Sequence, residues 1–418
     1  VKVTLINDEW ATASVPSGLP FGIDQALDPP GSLRAGVLNA IKYINTVLDL
    51  KLMGESPIPQ DSVDKLLVKQ LKKDVQAWGL SNHKLGSNVI MAVSIAVCKA
   101  AAYAVKTPIY RHIAELAGYK NVCLPVPANV VINGGSLEEN KLAIRGFTIL
   151  SIGAPSFNKA VSMNGKAYRA LKNLLEENYD EDATDEGLDG GCAPDIQNIQ
   201  EGLELLKTII SETNLKGKIV IGVDAAASEF YAIDTYNLSF KEEDWDAAQE
   251  ISGDVLKDIY KLFVKEYPIV SLEDPFDNED WENYTKLTSE IGQEVQIMGA
   301  DLLVTHPKRI EQAIKKKTCN TLLLKMNELG TVSECIRAAR RAKLAEWGLV
   351  CVSNGSAEMG ETFIADLSVG LAADQIKIGA HTDFGLDLVY QQLNRIEREL
   401  GSEAVYAGSK FIANIKPS

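Results

Sequence analysis

Short apolar runs alternate with helix-length stretches through the second half of the chain. Six such runs end on polar or small residues: KIVIGVDAA (218–226), PIVSLEDP (268–275), VQIMGADLL (295–303), TLLLKMN (321–327), LVCVSNG (349–355) and QIKIGAH (375–381). Strands that are buried on both faces read as continuous apolar runs. The pattern therefore predicts a closed parallel β/α barrel, in which functional side chains collect at the carboxyl ends of the strands.

The first 118 residues predict a separate, smaller unit. VKVTLIND and WATASVP alternate as two short strands around a turn. Residues 32–48 and 61–78 repeat apolar positions at helical spacing, and residues 88–105 are nearly all apolar or small, which indicates a buried helix. A length of 418 residues suits this division into an α+β cap domain, 1–118, and an α/β barrel domain, 119–418.

Composition restricts the classes of partner. Lys and Arg number 42 against 57 Asp and Glu, which gives a net charge of −15. Such a surface repels nucleic acid and anionic lipid, so neither is expected as a partner. The six cysteines form no CxxC pair and are expected to be reduced thiols of an intracellular protein. No apolar run of 18 residues, which a transmembrane helix would need, and no signal peptide is visible. The sequence begins at Val1, so the presence of a targeting segment before it stays an open question.

Three strand ends carry residues that suggest a metal and a base. Asp224 and Glu273 offer carboxylates, and Lys325 offers an amine. The acidic stretch 176–191 is interpreted as a solvated loop, because runs of charge usually face water, with a role over the barrel mouth as the alternative.

Longer strings resemble a known family. They include KLGSN (84–88), LPVPANVVINGGS (124–136), GVDAAASEFY (222–231), VSLEDPFD (270–277), VTHPKRI (304–310) and TLLLKMNELGTVSE (321–334). In order and spacing the chain resembles eukaryotic enolase, phosphopyruvate hydratase. The resemblance implies a cap domain whose first strand precedes Val1, an enolase-type modified β/α barrel, a homodimer, a cytoplasmic location, and magnesium-dependent dehydration of 2-phosphoglycerate in glycolysis.

Carried over residue by residue, the resemblance implies a partly retained site. Asp224 and Glu273 match two magnesium ligands, and Lys325 matches the base, whose pKa a cation and burial would lower. An ion pair of Lys325 with Glu273 or Asp224 is the alternative role. Asp189 stands for the acid glutamate, one methylene shorter. Ser356 and Asn140 match minor substrate contacts.

Other family positions have lost their chemistry. Ala300 stands at the third magnesium ligand, and the adjacent Asp301 is expected to point away because strand side chains alternate, unless a bulge rotates it. The glutamine-glutamate pair of the family is Arg145-Gly146, and the substrate-carboxylate lysine is assigned to Val389. Leu137 stands at the loop histidine of the family, and Leu188 at the carboxylate beside the acid. Asn354 and Gly355 stand in place of the phosphate clamp. Pro20 stands in place of the lid serine, and Gly22 of that loop is retained.

These losses set the functional hypotheses. The main one is a catalytically inactive or strongly impaired enolase-like protein, a pseudoenzyme with a structural or interaction role, weak or absent magnesium binding and no small anionic substrate. Its protein partner is not specified, and a cytoskeletal or ciliary assembly is one possibility for its location. The first alternative is a phosphopyruvate hydratase that retains some magnesium-dependent activity. The second is a different reaction that uses Lys325 and Asp189, with Arg145 as a relocated cation for an anion.

Overall fold

The computed structural model describes residues 1–15, 33–77, 87–187, 190–242, 250–353, 360–379 and 388–410. The chain opens with an antiparallel hairpin of β1 (Lys2–Thr4) and β2 (Trp10–Thr12), as predicted from the alternating pattern. The helices that follow are α1 (Leu33–Tyr43), α2 (Asp49–Leu52), α3 (Gln60–Ala77), α4 (Ser87–Ala104) and α5 (Ile109–Ala117), with one π-helical turn, Ile44–Leu48, between α1 and α2.

Helix α4 is the centre of this first unit. From Val89 to Ala102 nearly every residue is buried, in agreement with its continuous apolar sequence. One side of α4 packs on the π-helical turn through Leu48 and on α3 through Val63 and Leu67. Its other side joins the large core that it shares with the barrel. Within the described residues no single helix is long and apolar enough to cross a membrane, although the bent pair Asn88–Ala104 and Ile109–Ala117 meets that test by length and composition.

Eight strands close into a barrel. They are β3 (Val126–Asn133), β4 (Gly146–Leu150), β5 (Val220–Asp224), β8 (Ile269–Glu273), β9 (Gln296–Met298), β10 (Thr321–Lys325), β11 (Gly348–Val352) and β12 (Gln375–Ile378). Each follows its neighbour in that order, and β12 pairs with β3 to close the ring. The separate hairpin of β6 (Tyr231–Ala232) and β7 (Thr235–Tyr236) lies between β5 and β8. All six apolar runs therefore form barrel strands, as predicted.

The barrel differs from the prediction in one strand. Strand β4 runs antiparallel to both β3 and β5, whereas the other neighbouring pairs are parallel. The connection between β3 and β4 contains a 3₁₀ turn, Gly135–Leu137, and no α-helix. A parallel pair usually needs a crossover helix to carry the chain back along the sheet, whereas a loop without one returns the chain in the opposite direction.

Helices surround the barrel, and polar caps fix where several of them begin. They are α6 (Phe157–Asn178), α7 (Ile199–Glu212), α8 (Gly253–Glu266), α9 (Trp281–Ile291), α10 (Ala300–Leu303), α11 (Pro307–Lys316), α12 (Val332–Leu344), α13 (Phe363–Gly370) and α14 (Leu388–Leu400). The side chains of Ser156, Asn198, Ser252, Asp280 and Thr331 each accept a backbone N–H of the first turn that follows. Such caps satisfy donors that the helix itself leaves free.

A buried polar cluster joins the first unit to the barrel. Asp64 on α3 accepts hydrogen bonds from the Gln60 amide (3.0 Å), the Ser94 hydroxyl (2.7 Å) and the backbone N–H of Ser333 on α12 (2.9 Å). The Ser94 hydroxyl in turn accepts the N–H of Val332 (3.0 Å). The carboxylate therefore caps a helix of the barrel domain from outside that domain, which fixes how the two parts dock.

Candidate active site

Three charged side chains meet where the barrel strands end. Asp224 is the last residue of β5 and Glu273 the last residue of β8, and the two are paired in register. Lys377 lies on β12, and its Nζ is 2.6 Å from Asp224 Oδ2 and 2.7 Å from Glu273 Oε2. The structure thus brings together the two carboxylates predicted from sequence and adds a lysine that was not predicted.

Burial and charge give these groups different pKa shifts. Burial alone would raise the pKa of Asp224, but the charges of Lys377 and Arg145 outweigh it and hold that pKa below its usual value. Burial and the nearby Asp224 raise the pKa of Glu273. Burial opposes the charge on Lys377, yet its two carboxylate partners raise its pKa. Asp224 is therefore more readily ionised than Glu273, and Lys377 stays protonated and positively charged.

The two oxygens of the Asp224 carboxylate differ in their surroundings. Among the described residues no group donates a hydrogen bond to the buried Oδ1, whereas Oδ2 binds Lys377. A small cavity, ≈ 10 Å³, lies beside it in the barrel interior, lined in part by Thr148 and Ser271. That volume is about the size of one water molecule. A buried carboxylate oxygen without a donor is a position at which a cation or water binds favourably.

Lys325 ends β10 but does not pair with Asp224 or Glu273, so that alternative from the sequence is wrong. Its Nζ is instead 3.6 Å from Glu328 Oε1 and 3.8 Å from Asp301 Oδ1. Burial alone would lower the pKa of Lys325, but Glu328 and Asp301 raise it. The lowered pKa expected of a base is therefore not present here, and a divalent cation would have to supply it.

The expectation that Asp301 points away from the mouth is also wrong. Strand β9 ends at Met298, and α10 begins at Ala300, so strand alternation no longer applies to Asp301. The N–H of Asp301 donates to the buried carboxylate of Asp274 (3.1 Å), and its own carboxylate faces Lys325. Ala300 is 2% exposed and packs on Met298 and other apolar side chains of the barrel interior.

Arg145 and Gly146 stand beside Asp224. Gly146 pairs with Asp224 on one side and with Asn133 on the other. A Cβ at Gly146 would lie 2.2 Å from the carbonyl oxygen of Ile132, so this backbone accepts no side chain there. Arg145 Nη2 donates to Glu229 Oε1 at 2.7 Å. A guanidinium therefore occupies the part of the mouth where the resemblance implies a carboxylate.

Two further positions prove to be structural. Asn140 is buried, and its amide donates to the carbonyl of Asn133 (2.8 Å) and accepts the N–H of Leu142 (3.3 Å), so it fixes a turn, and its contact with a substrate stays a prediction. The assignment of the second lysine to Val389 is wrong, because Val389 is fully buried on α14. Leu137 is half exposed at the end of the 3₁₀ turn after β3.

Several predicted positions lie outside the described residues. They are Pro20, Gly22, Leu188, Asp189, Asn354, Gly355 and Ser356. The acid candidate and the phosphate-clamp positions therefore stay predictions from the sequence.

Lys377 could have been found from the sequence. In the run QIKIG it stands between two isoleucines on a strand whose side chains alternate. A lysine on the inner face of an apolar strand needs a buried anionic partner. The signal was a charged residue inside the pattern rather than at its end. Glu229, which lies on a 3₁₀ turn and holds Arg145, left no comparable signal.

Comparison with known proteins agrees with this fold over nearly the whole chain. The model of the enolase N-terminal domain matches residues 1–113, and that of the enolase C-terminal TIM barrel domain matches residues 121–415. The chain belongs to the enolase family. It is 53% identical over 420 residues to Enolase 2 of Hevea brasiliensis, covering 99% of this chain and 94% of that protein. It is 52% identical over 422 residues to Enolase of Solanum lycopersicum, covering 100% and 95%.

Membership of the enolase family indicates which metal ion the site is expected to hold. Enolases depend on Mg²⁺, which takes oxygen ligands and is commonly held by one or two carboxylates together with water and substrate oxygens. Asp224 and Glu273 provide two such carboxylates, and the unpartnered Oδ1 of Asp224 is a free ligand atom. Within the described part of this chain no three acidic, histidine or cysteine side chains form a metal-binding group. The residues thus fit an ion that is held by two carboxylates.

Proposed function

We propose that this enolase-family protein dehydrates 2-phosphoglycerate to phosphoenolpyruvate, with magnesium, at a rate well below that of a complete site. The observation that carries the proposal is the meeting of Asp224, Glu273 and Lys377, with Lys325 ending the next-but-one strand from Glu273, at one end of the barrel. Its 52–53% identity to two proteins named as enolases supports this alternative better than the pseudoenzyme, which the comparisons do not support.

Each retained side chain has a chemical task in this reaction. Lys325 takes the proton from the carbon beside the substrate carboxylate, which requires its amine to be neutral at that moment. Lys377, held as a cation, offers its charge to the substrate carboxylate. The carbon–oxygen bond to the hydroxyl then breaks, and the hydroxyl leaves as water after it gains a proton, for which Asp189 is the candidate donor.

The carboxylates Asp224 and Glu273 would hold the magnesium ion. Bound there, the ion supplies positive charge that lowers the pKa of a nearby amine and stabilises negative charge on the substrate. Its approach requires Lys377 to release part of its contact with both carboxylates, because the ammonium lies 2.6 and 2.7 Å from them. Magnesium and Lys377 therefore share the same two anions.

The missing groups explain the reduced rate. The methyl group of Ala300 cannot bind a metal, and Gly146 offers no carboxylate beside Asp224. Loss of one electrostatic contributor commonly costs about 10²–10³ in turnover, and losses within one unit are not additive. A protein that lacks several contributors keeps the reaction but loses most of its rate.

A second candidate is an inactive enolase-fold protein with a structural or interaction role. The observation that favours it is Ala300, which packs as part of an apolar cluster where a third ligand would stand. For either candidate we propose a homodimer in the cytoplasm, as in the enolase family, and no nucleic-acid or membrane partner.

Turnover of 2-phosphoglycerate by the purified chain in millimolar magnesium distinguishes the two candidates. The proposal expects slow turnover that chelation of magnesium abolishes and that Lys325→Ala also abolishes. Ala300→Asp should raise the rate, whereas the matched Ala300→Asn, which adds similar bulk without a charge, should not. Absence of turnover in the wild type, with or without recovery in Ala300→Asp, would refute the proposal and leave the inactive candidate.

A further inference from the structure

A fixed cation stands beside the carboxylate that is the best candidate magnesium ligand. Arg145 directly precedes Gly146, and Gly146 is paired with Asp224 across the sheet. Five residues after Asp224, Glu229 receives the Arg145 guanidinium at 2.7 Å. The electrostatic partners of that guanidinium include Asp224 and Asp301 as well as Glu229. The side chain is only one-third exposed, so its charge is poorly screened by water.

The contact with Glu229 keeps the guanidinium in this place. Glu229 Oε1 accepts from Arg145, and its Oε2 accepts the backbone N–H of Ser136 at 2.7 Å. Glu229 is thereby fixed to the turn after β3 and to the residue directly before β4. Arg145 makes no hydrogen bond to Asp224 among the described residues, and Oδ1 of Asp224 stays without a donor. Arg145 therefore acts on Asp224 through charge and leaves the ligand atom open.

We propose that Arg145 sets the magnesium affinity of this site, as a built-in positive charge that competes electrostatically with the ion. A divalent cation at Asp224 Oδ1 would be repelled by the guanidinium, because Arg145 already interacts electrostatically with Asp224 and like charges repel more strongly in a partly buried site than in water. The inference rests on the proposed magnesium site at Asp224 and Glu273. In this inference Arg145 acts on the ion only through its charge and does not contact the reacting atoms.

Arg145 differs in this from Lys377. Lys377 binds both carboxylates directly and can move aside, because its contacts are to the same two carboxylates that the ion would take. Arg145 is held by Glu229, which is not a candidate ligand, so its charge stays when the ion arrives. Magnesium binding should therefore be weaker than two carboxylates alone would give.

The test is calorimetric titration of magnesium chloride into the purified full chain, compared among the wild type, Arg145→Gln, Arg145→Lys and the control Arg341→Gln. Arg341 lies on α12 outside the barrel and is half exposed. Arg145→Gln should tighten magnesium binding by about tenfold, as expected for the loss of one nearby charge. Arg145→Lys, which keeps the charge, and Arg341→Gln should both bind as the wild type does.

Two results would overturn the inference. One is an Arg145→Gln protein, folded by circular dichroism, that binds magnesium no more tightly than the wild type, including no binding in either protein. The other is a loss of inorganic phosphate binding in Arg145→Gln without a gain in magnesium affinity, which would make Arg145 an anion-binding residue instead. Because titration needs no turnover, failure of the proposed hydratase activity gives a different outcome from failure of this inference.

Discussion

Lys377→Met removes the ammonium group that binds both Asp224 and Glu273. The side chain of Lys377 is 14% exposed, and those of the two carboxylates are 7% and 8% exposed, so water cannot replace the lost contact. Removal of one partner from a buried ion pair typically costs about 3–5 kcal/mol. Burial already raises the pKa of Glu273, which lets this carboxyl group take a proton and relieve part of the repulsion. We therefore expect a loss of about 3 kcal/mol, at the lower end of that range.

The assay is denaturant unfolding with a chelator present and again with magnesium. Without magnesium, Lys377→Met should unfold about 3 kcal/mol more easily than the wild type near neutral pH. Magnesium should narrow that difference, because the variant lacks the ammonium that competes with the ion for Asp224 and Glu273 and so binds magnesium more tightly than the wild type. An ion at 100 times its dissociation constant adds about 2.7 kcal/mol of stability. The pKa of Asp224 is lowered in the folded state, so its contribution is present above its unfolded pKa and is lost as pH falls through the folded pKa. The difference should therefore shrink in acid.

A matched control is Lys261→Met on α8. Lys261 also binds a carboxylate, that of Glu290 at 2.5 Å, but both side chains are more than one-third exposed. Exposed pairs contribute at most about 1 kcal/mol. A loss in Lys377→Met as small as in this control would refute the account of the buried cluster. If magnesium leaves the difference in unfolding free energy between the wild type and Lys377→Met unchanged, the placement of the ion at Asp224 and Glu273 is refuted.

Three further predictions concern other parts of the fold. Gly146→Ala should lower the thermal unfolding midpoint, because its Cβ would lie 2.2 Å from the carbonyl oxygen of Ile132; an unchanged midpoint would contradict the close approach. Asp64→Ala should cost about 3 kcal/mol in denaturant unfolding, since it leaves the Ser94 hydroxyl and the Ser333 N–H as two buried donors without an acceptor, while Asp64→Asn should cost less. Burial lowers the pKa of His112, so the unfolded state binds more protons and stability falls as pH drops below about 6.5. In His112→Gln the free energy of unfolding should fall less steeply between pH 7 and pH 5 than in the wild type. An equal pH dependence in the two proteins would contradict this prediction.

The barrel strands were predictable because each is a continuous apolar run that the fold buries on both faces. The direction of each strand was not predictable in the same way, because the reversal of β4 depends on a connection that forms no crossover helix. The pairing of Asp224 with Glu273 follows from two strand ends in register, which the pattern predicted. The residue boundary between the cap and barrel domains stays a prediction.

The errors at the site have local causes. The turn at Ala300 ends strand alternation one residue before Asp301, and nothing in the run MGADLL marks that change. Lys377 stands within its apolar run, one residue before the strand ends, so a search of strand ends alone does not find it. Val389 lies on the buried side of α14, where a residue cannot reach the barrel mouth.

Proton exchange at the carbon beside the carboxylate of 2-phosphoglycerate tests the central claim most directly. The protein is incubated with the substrate and magnesium in D₂O, and loss of the C2 proton signal is followed by NMR. The account predicts slow exchange that Lys325→Ala abolishes and that requires magnesium, even where the later loss of water is too slow to measure. No exchange above the rate without protein, or exchange that persists in Lys325→Ala, would contradict the claim that Lys325 abstracts this proton.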